Sequence, residues 1–260
     1  MTQTRRTFLA TASAAAGVTA ILPFAALAQE GANNSFETPG GTITVHPVSH
    51  ASFVMETPAG VIHVDPVGGA EAYGDLPAPD LILITHEHGD HYEVDTLTAL
   101  MGENTHLIVN PAVADMLPEE LSGAESIGNG DTTDWEGVGI EAIPAYNTTE
   151  GRQDFHPEGR DNGYVLSFEG FRVYISGDTE DTPEVRALEN IDLAFVCMNL
   201  PFTMDATQAA AAVNAFSPTY VYPYHFRGRD GGTQDPQEFA SMVEGAEVLT
   251  PDWYPDNPEL

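Results

Sequence analysis

Lysine is missing from this chain: its 8 basic residues are all arginines, set against 40 Asp and Glu in 260 residues. A surface of that sign repels nucleic-acid phosphates and anionic lipid headgroups, which argues against a nuclease and against peripheral membrane attachment. The composition also resembles that of salt-adapted proteins, whose self-repulsion is screened over about 3 Å at molar salt. Cysteine is almost as scarce. Cys197 stands alone, so no internal disulfide can form. Its setting in Leu193-Ala194-Phe195-Val196 suits a small buried hydrophobe better than a metal ligand. A long apolar run is lacking too, because the N-terminal stretch 10–22 holds Thr, Ser and Gly and is short of a comfortable membrane span.

What stands at the N-terminus is Thr4-Arg5-Arg6-Thr7-Phe8-Leu9, the small-residue run, and Ala26-Leu27-Ala28 before Gln29. This pattern is that of a twin-arginine export signal with an Ala-x-Ala cleavage site. Residues 1–28 are expected to be removed by way of the twin-arginine export machinery, leaving residues 29–260 in the periplasm or outside the cell without stable membrane association. Glu30 is the first acidic residue, so the mature chain sets six arginines against 40 carboxylates, a formal charge of −34.

The mature length suits one domain with a sizeable core. Strand-like runs rich in Val, Ile and aromatics recur at 42–46, 52–56, 61–64, 81–85, 106–109, 139–143, 164–168, 172–175, 193–196 and 219–222. Helical segments are expected at 94–101, 111–117, 183–188, 206–215 and 236–243, with Pro111, Pro183 and Pro236 where a first helical turn tolerates proline. Paired strands precede the first helix, and the grouping recurs from Gly139 onward. Two sheets with helices on their outer faces satisfy that order, with the polar strand ends gathered along one edge.

The densest chemistry lies in Thr85-His86-Glu87-His88-Gly89-Asp90-His91, directly behind Leu81-Ile82-Leu83-Ile84. Imidazoles and a carboxylate select a borderline cation such as zinc, and a turn after a rigid strand lets successive side chains converge. A helical zinc protease would need His-Glu-x-x-His. His86 and His88 are instead two apart, and Gly89-Asp90 indicates a turn.

This arrangement resembles the metallo-β-lactamase fold superfamily, whose His-x-His-x-Asp-His signature stands here as His86, His88, Asp90 and His91. Ser49-His50-Ala51-Ser52-Phe53, Val64-Asp65-Pro66, Ser176-Gly177-Asp178-Thr179 and Tyr222-Pro223-Tyr224-His225 match further landmarks in the family's order. The chain is most similar to the branch that contains the ascorbate-6-phosphate lactonase and broadly described metal-dependent hydrolases. The resemblance implies a single α/β domain built as a four-layer αββα sandwich that holds two divalent ions, zinc or else manganese or iron. It implies that His86 and His88 bind the first, that Asp90, His91 and His225 bind the second, and that Asp178 bridges them. Asp65 would orient a ligand histidine, and His50 would hydrogen-bond behind the ligands.

One position departs from the pattern. Where many family members carry a third histidine for the first metal, this chain reads Pro144-Ala145-Tyr146-Asn147, and Asn147 is a poor zinc ligand. Either His156, in the polar loop 148–162, folds back to complete the site, or it is a loop histidine with no metal role and the first site is weak. His46, His63 and His106 sit in strand-like runs and read as packed or surface residues.

Four of the six mature arginines, Arg152, Arg160, Arg227 and Arg229, fall beside the expected metals, where arginine can grip a carboxylate or phosphate. Arg227 and Arg229 are the candidates for binding an anionic small-molecule substrate. Hydrolysis by metal-activated water would use Asp90 as ligand and proton acceptor, with Tyr146 or Tyr224 at a developing oxyanion. The rivals are an iron-dependent oxidoreductase of the same fold, disfavoured by a histidine at 88 where di-iron relatives usually carry a carboxylate, and an exported metal-binding module without turnover.

Overall fold

Two seven-stranded sheets, each laid down in chain order, dominate the computed structural model, which describes residues 34–254. The expected export signal lies outside the described residues. The first sheet comprises β1 (Ser35–Thr38), β2 (Gly41–Ser49), β3 (Ser52–Thr57), β4 (Gly60–Val64), β5 (Leu81–Ile84), β6 (His106–Val109) and β7 (Glu125–Ser126). The second comprises β8 (Thr132–Trp135), β9 (Val138–Ala145), β10 (Asp161–Phe168), β11 (Phe171–Ile175), β12 (Leu193–Cys197), β13 (Tyr220–Tyr224) and β14 (Glu247–Val248). In each, the first four strands pair antiparallel and the last four parallel, so the two halves repeat one topology.

Parallel pairing requires crossovers, and these carry α1 (Val94–Leu100), α2 (Pro111–Ala114), α3 (Pro183–Arg186), α4 (Ala206–Phe216) and α5 (Pro236–Met242). The prolines open α2, α3 and α5 behind the capping side chains of Asn110, Thr182 and Asp235, where a missing N–H breaks no helical bond. Asp205 and Gln208 form a reciprocal capping box on α4. No helix among the described residues is long and apolar enough to cross a membrane.

The layers follow from the period-two alternation of strands. In β5, Leu81 and Leu83 enter the core between the sheets, while Ile82 and Ile84 pack with Leu97 of α1 and Val113 of α2. Both faces are covered, hence the unbroken apolar run. Between the sheets, Phe53 of β3 stacks on Phe195 of β12 with ring centroids 4.1 Å apart. This is the expected αββα sandwich. β10 starts at Asp161, three residues earlier than the apolar pattern indicates, because its first residues are polar yet buried. Strands β1, β7, β8 and β14, unread in the sequence, are short and lie at the ends of the paired segments.

Asp65, the 86–91 segment, Asp178 and His225 all follow the C-terminal ends of parallel strands, the rim where α/β sheets gather ligand-binding groups.

Candidate metal centre

The segment after β5 is a turn rather than a helix, closed by the His91 and Tyr92 amides on the His88 carbonyl at 2.9 and 2.8 Å. Six of the nine histidines converge there with Asp90 and Asp178. Three sets each bring one ligand atom per residue within 4.8 Å of the others: His86, His88 and His156; His86, His91 and Asp178; and His50, Asp90 and His225.

Gly177 makes the approach of Asp178 possible. Its φ of +57° is left-handed, and a Cβ there would stand 2.7 Å from the Asn162 carbonyl and 3.1 Å from Thr85. Asp178 then sits centrally, with Oδ2 3.3 Å from His156 Nε2 and Oδ1 3.4 Å from His91 Nε2 and 3.6 Å from His225 Nε2. Ligands bonded at 2.0–2.1 Å to one tetrahedral ion lie about 3.3 Å apart, so these separations suit a shared cation.

Behind the ligands stand groups that fix their rings. Asp65 accepts His91 Nδ1–H at 2.7 Å and is held by the Thr85 amide and hydroxyl, both at 2.7 Å. Asn147 Oδ1 lies 3.1 Å from His156 Nδ1, while its Nδ2 donates to the Arg152 and Phe202 carbonyls. The residue without a ligand atom at the centre thus anchors the histidine that has one. The Asn199 amide stands 2.6 Å from His225 Nδ1, and the Tyr254 hydroxyl 2.8 Å from His50 Nδ1. The Asp65, Asn147 and Tyr254 oxygens can each accept an Nδ1–H, which leaves Nε2 of His91, His156 and His50 for a cation.

The donor set fits metal. Nε2 of His91, His156 and His225 and Oδ1 of Asp178 are buried without hydrogen-bond partners. Each such atom costs about 1–3 kcal/mol unless something satisfies it, and all four face one space. Burial, reinforced by His91, pushes His86 well below the usual histidine range, and burial with His156 lowers His88. The neutral imidazole is the coordinating form. His91 goes the other way: against burial, Asp178 and Asp65 raise it well above its ordinary value. Positive charge is therefore favoured between those carboxylates, and a cation supplies it without the proton. Despite burial, His225 and His91 hold Asp178 well below the carboxylate range.

Two expected catalytic groups lie elsewhere. Tyr146 donates its hydroxyl to Glu184 at 2.9 Å, and burial and that carboxylate push its pKa up to about 12; only its main chain, bonded to Thr179 and Glu180, supports the Asp178 turn. Tyr224 is fully buried among Phe53, Phe195 and Trp253. Neither lines the cavity of about 460 Å³ above the cluster, which is walled by His50, Asp90, Phe155, Phe202, Arg227 and Arg229 among others. Alternation at the strand end explains Tyr224: with its neighbour His225 turned to the rim, it points into the core. His50, expected to hydrogen-bond behind the ligands, places Nε2 3.4 Å from Asp90 Oδ2.

The arginines divide. Arg152 pairs with buried Glu180 at 2.6 Å, and Arg160 with Asp161 and Glu87 at 2.6 and 2.9 Å, fastening the loop that carries His156. Arg227 and Arg229 have no carboxylate partner among the described residues; their guanidinium carbons lie 3.7 Å from the Tyr254 ring and 5.4 Å from the Phe202 ring. His46, His63 and His106 are outside the cluster, bonded to Glu56, the Pro77 carbonyl and Glu125. Asn199 and Tyr254 carried no spacing signal in the sequence.

Comparison with known proteins agrees with this geometry. Residues 44–225 match the family model of the β-lactamase superfamily domain. A metal-dependent hydrolase of Thermococcus onnurineus is 33% identical over 177 residues, 65% of this chain and 77% of the relative. The crystal structure of a protein from Parabacteroides distasonis, described as a metal-dependent hydrolase, is 40% identical, with a TM-score of 0.74 over 83% of this chain and 96% of that one. The metallo hydrolase Igni18 of Ignicoccus hospitalis, at 24% identity and a TM-score of 0.66 over 81% of this chain and 95% of its own, shares the fold. With the family model spanning most of the chain and the same αββα sandwich bearing a histidine-carboxylate cluster at its rim, the protein belongs to the β-lactamase superfamily as a metal-dependent hydrolase of the metallo-β-lactamase fold.

Proposed function

We propose that this hydrolase is exported by the twin-arginine route to the periplasm or beyond, and there cleaves a small ester, lactone or phosphoester that carries an anionic group. The observation that carries the reading is the placement of Arg227 and Arg229, free of carboxylates among the described residues, on the cavity that opens over the buried ligand atoms. In a chain with a fivefold excess of acid over base, two such cations beside one cavity favour an anion.

His86, His88 and His156 would hold one divalent ion, and Asp90, His91 and His225 a second, with Asp178 between them. Zinc suits the imidazole-rich set, with manganese or iron as alternatives. Bound there, the ions would polarise a carbonyl or phosphoryl oxygen and lower the pKa of water toward ~7. Asp90 faces the cavity; against burial, His225 and His50 hold its carboxyl well below the usual range, so it is ionised and acceptor-only. Phe155 and Phe202 form an apolar wall that excludes water from one side. The acidic exterior disfavours nucleic acid and membrane partners.

Metal analysis of residues 29–260, combined with ester, lactone and phosphoester panels, tests the proposal. Turnover should vanish on chelation and return with the metal. Arg227→Ala should raise KM for anionic substrates about tenfold or more while sparing neutral analogues, the range expected for one charged hydrogen bond. Equal KM on every substrate would remove the anion assignment. Cleavage before Gln29, lost when Arg5 and Arg6 both become Lys, tests export.

A further inference from the structure

His50 sits at the tip between β2 and β3, and three observations set it apart from a residue that merely hydrogen-bonds behind ligands. Its Nε2 lies 3.4 Å from Asp90 Oδ2, the same distance as that of His225 Nε2. A ring donating Nε2–H to that carboxylate would close to about 2.7–2.9 Å, as His91 does with Asp65 at 2.7 Å. The rings of His50 and His225 are in contact, centroids 3.7 Å apart and planes inclined by 35°, and the His225 amide donates to the His50 carbonyl at 3.1 Å. Both residues hold left-handed backbone, φ +54° and +51°, a conformation that persists in non-glycine residues only where the surroundings over-determine it.

We propose that His50 is itself a ligand of the second cation, through Nε2, and that Tyr254 is its positioning residue. With His50 Nδ1–H donating to the Tyr254 hydroxyl at 2.8 Å, the lone pair of the ring is left on Nε2, on the side of Asp90. Tyr254 is fixed in turn. Trp253 before it is buried against Phe53, Phe195 and Tyr222, and the Arg227 guanidinium covers its ring at 3.7 Å. The C-terminal segment thereby reaches across to the β2–β3 tip and completes a site of His50, Asp90 and His225 with Asp178 alongside. The inference rests on the metal-dependent reading of the cluster and is independent of the substrate.

Metal titration of the metal-free protein with zinc, and absorption spectra with cobalt, test it on the full mature chain. His50→Asn is the informative variant, because asparagine tolerates the left-handed backbone. It should lose one equivalent of tightly bound metal, or bind it at least tenfold more weakly, with altered cobalt bands. Tyr254→Phe keeps the ring under Arg227 and should weaken the same equivalent about 10- to 100-fold with little change in melting temperature. Wild-type affinity and spectrum in His50→Asn, whether the parent binds two ions or one, would overturn the ligand role. Unchanged affinity in Tyr254→Phe would overturn its positioning role.

Discussion

The side chain of Asn147 accepts from His156 Nδ1 at 3.1 Å, across nine residues of loop. The position that lacks a family histidine has become the support of a histidine supplied from further along the chain. Asn147→Ala should therefore weaken zinc at the first site by about 10- to 100-fold. It should also destabilise the fold, since the Arg152 and Phe202 carbonyls lose their donor; each costs about 1–3 kcal/mol if left unsatisfied. Zinc titration and thermal melting of the same variant read both effects.

Arg152 is the fastener of the loop that delivers His156. It pairs with a carboxylate, Glu180, that is buried and also accepts from Thr148 and Thr149. Arg152→Met should lower stability by about 3–5 kcal/mol, because it strands a buried charge rather than removing a surface pair. Arg186→Met, at the exposed end of α3 and paired with Asp181 just before the helix, should change stability by less than about 1 kcal/mol. Denaturant unfolding of the two variants compares the two classes directly.

Acid should destabilise the metal-free protein before its surface carboxylates protonate. Burial and His225 lower His50 from 6.5 to about 4, so between those values the unfolded chain binds a proton that the folded chain refuses. Stability from this group is complete above pH 6.5 and declines as pH falls toward 4, by about 3 kcal/mol over the full interval. His86 and His88, also lowered, add in the same direction, while His91, raised, opposes them. Melting temperatures from pH 7 to 5 should fall, and His50→Asn should flatten part of that slope.

Cys197 should be inert in the folded protein. It is completely buried, and desolvation with nearby Asp178 pushes its thiol up to about 12. A disulfide reagent such as dithionitrobenzoate should leave it unmodified under native conditions and titrate one thiol per chain in denaturant. Rapid native labelling would contradict the packing of β12.

Much of this architecture was legible before any coordinates. The apolar run Leu81–Ile84 announced a strand, and the prolines at 111, 183 and 236 marked helix starts, because both signals are local: a short unbroken apolar run and a missing N–H act within a few residues. The residues of the cluster were legible from their identity and from family order. The edge strands were not, since two to four residues with mixed polarity carry no periodic signal of their own and owe their pairing to a neighbour.

Direction was the other thing hidden. Tyr224 and His225 are adjacent in sequence, yet one faces the core and the other the cavity; the sequence suggests an oxyanion role for Tyr224 that its side of the strand denies it. Tyr146 is withdrawn from the same role because its hydroxyl bonds to Glu184 on α3. Composition and pattern by themselves determined the acidic, lysine-free character of the chain and the order of strands and helices, and the family resemblance indicated which imidazoles and carboxylates could meet. Only the packed sandwich decided that His156 rather than Asn147 faces the centre, that Tyr254 reaches back 204 residues to His50, and that Arg227 and Arg229 have no carboxylate partner among the described residues. Those outcomes depend on distances between segments remote in the chain, which side-chain identity alone does not encode.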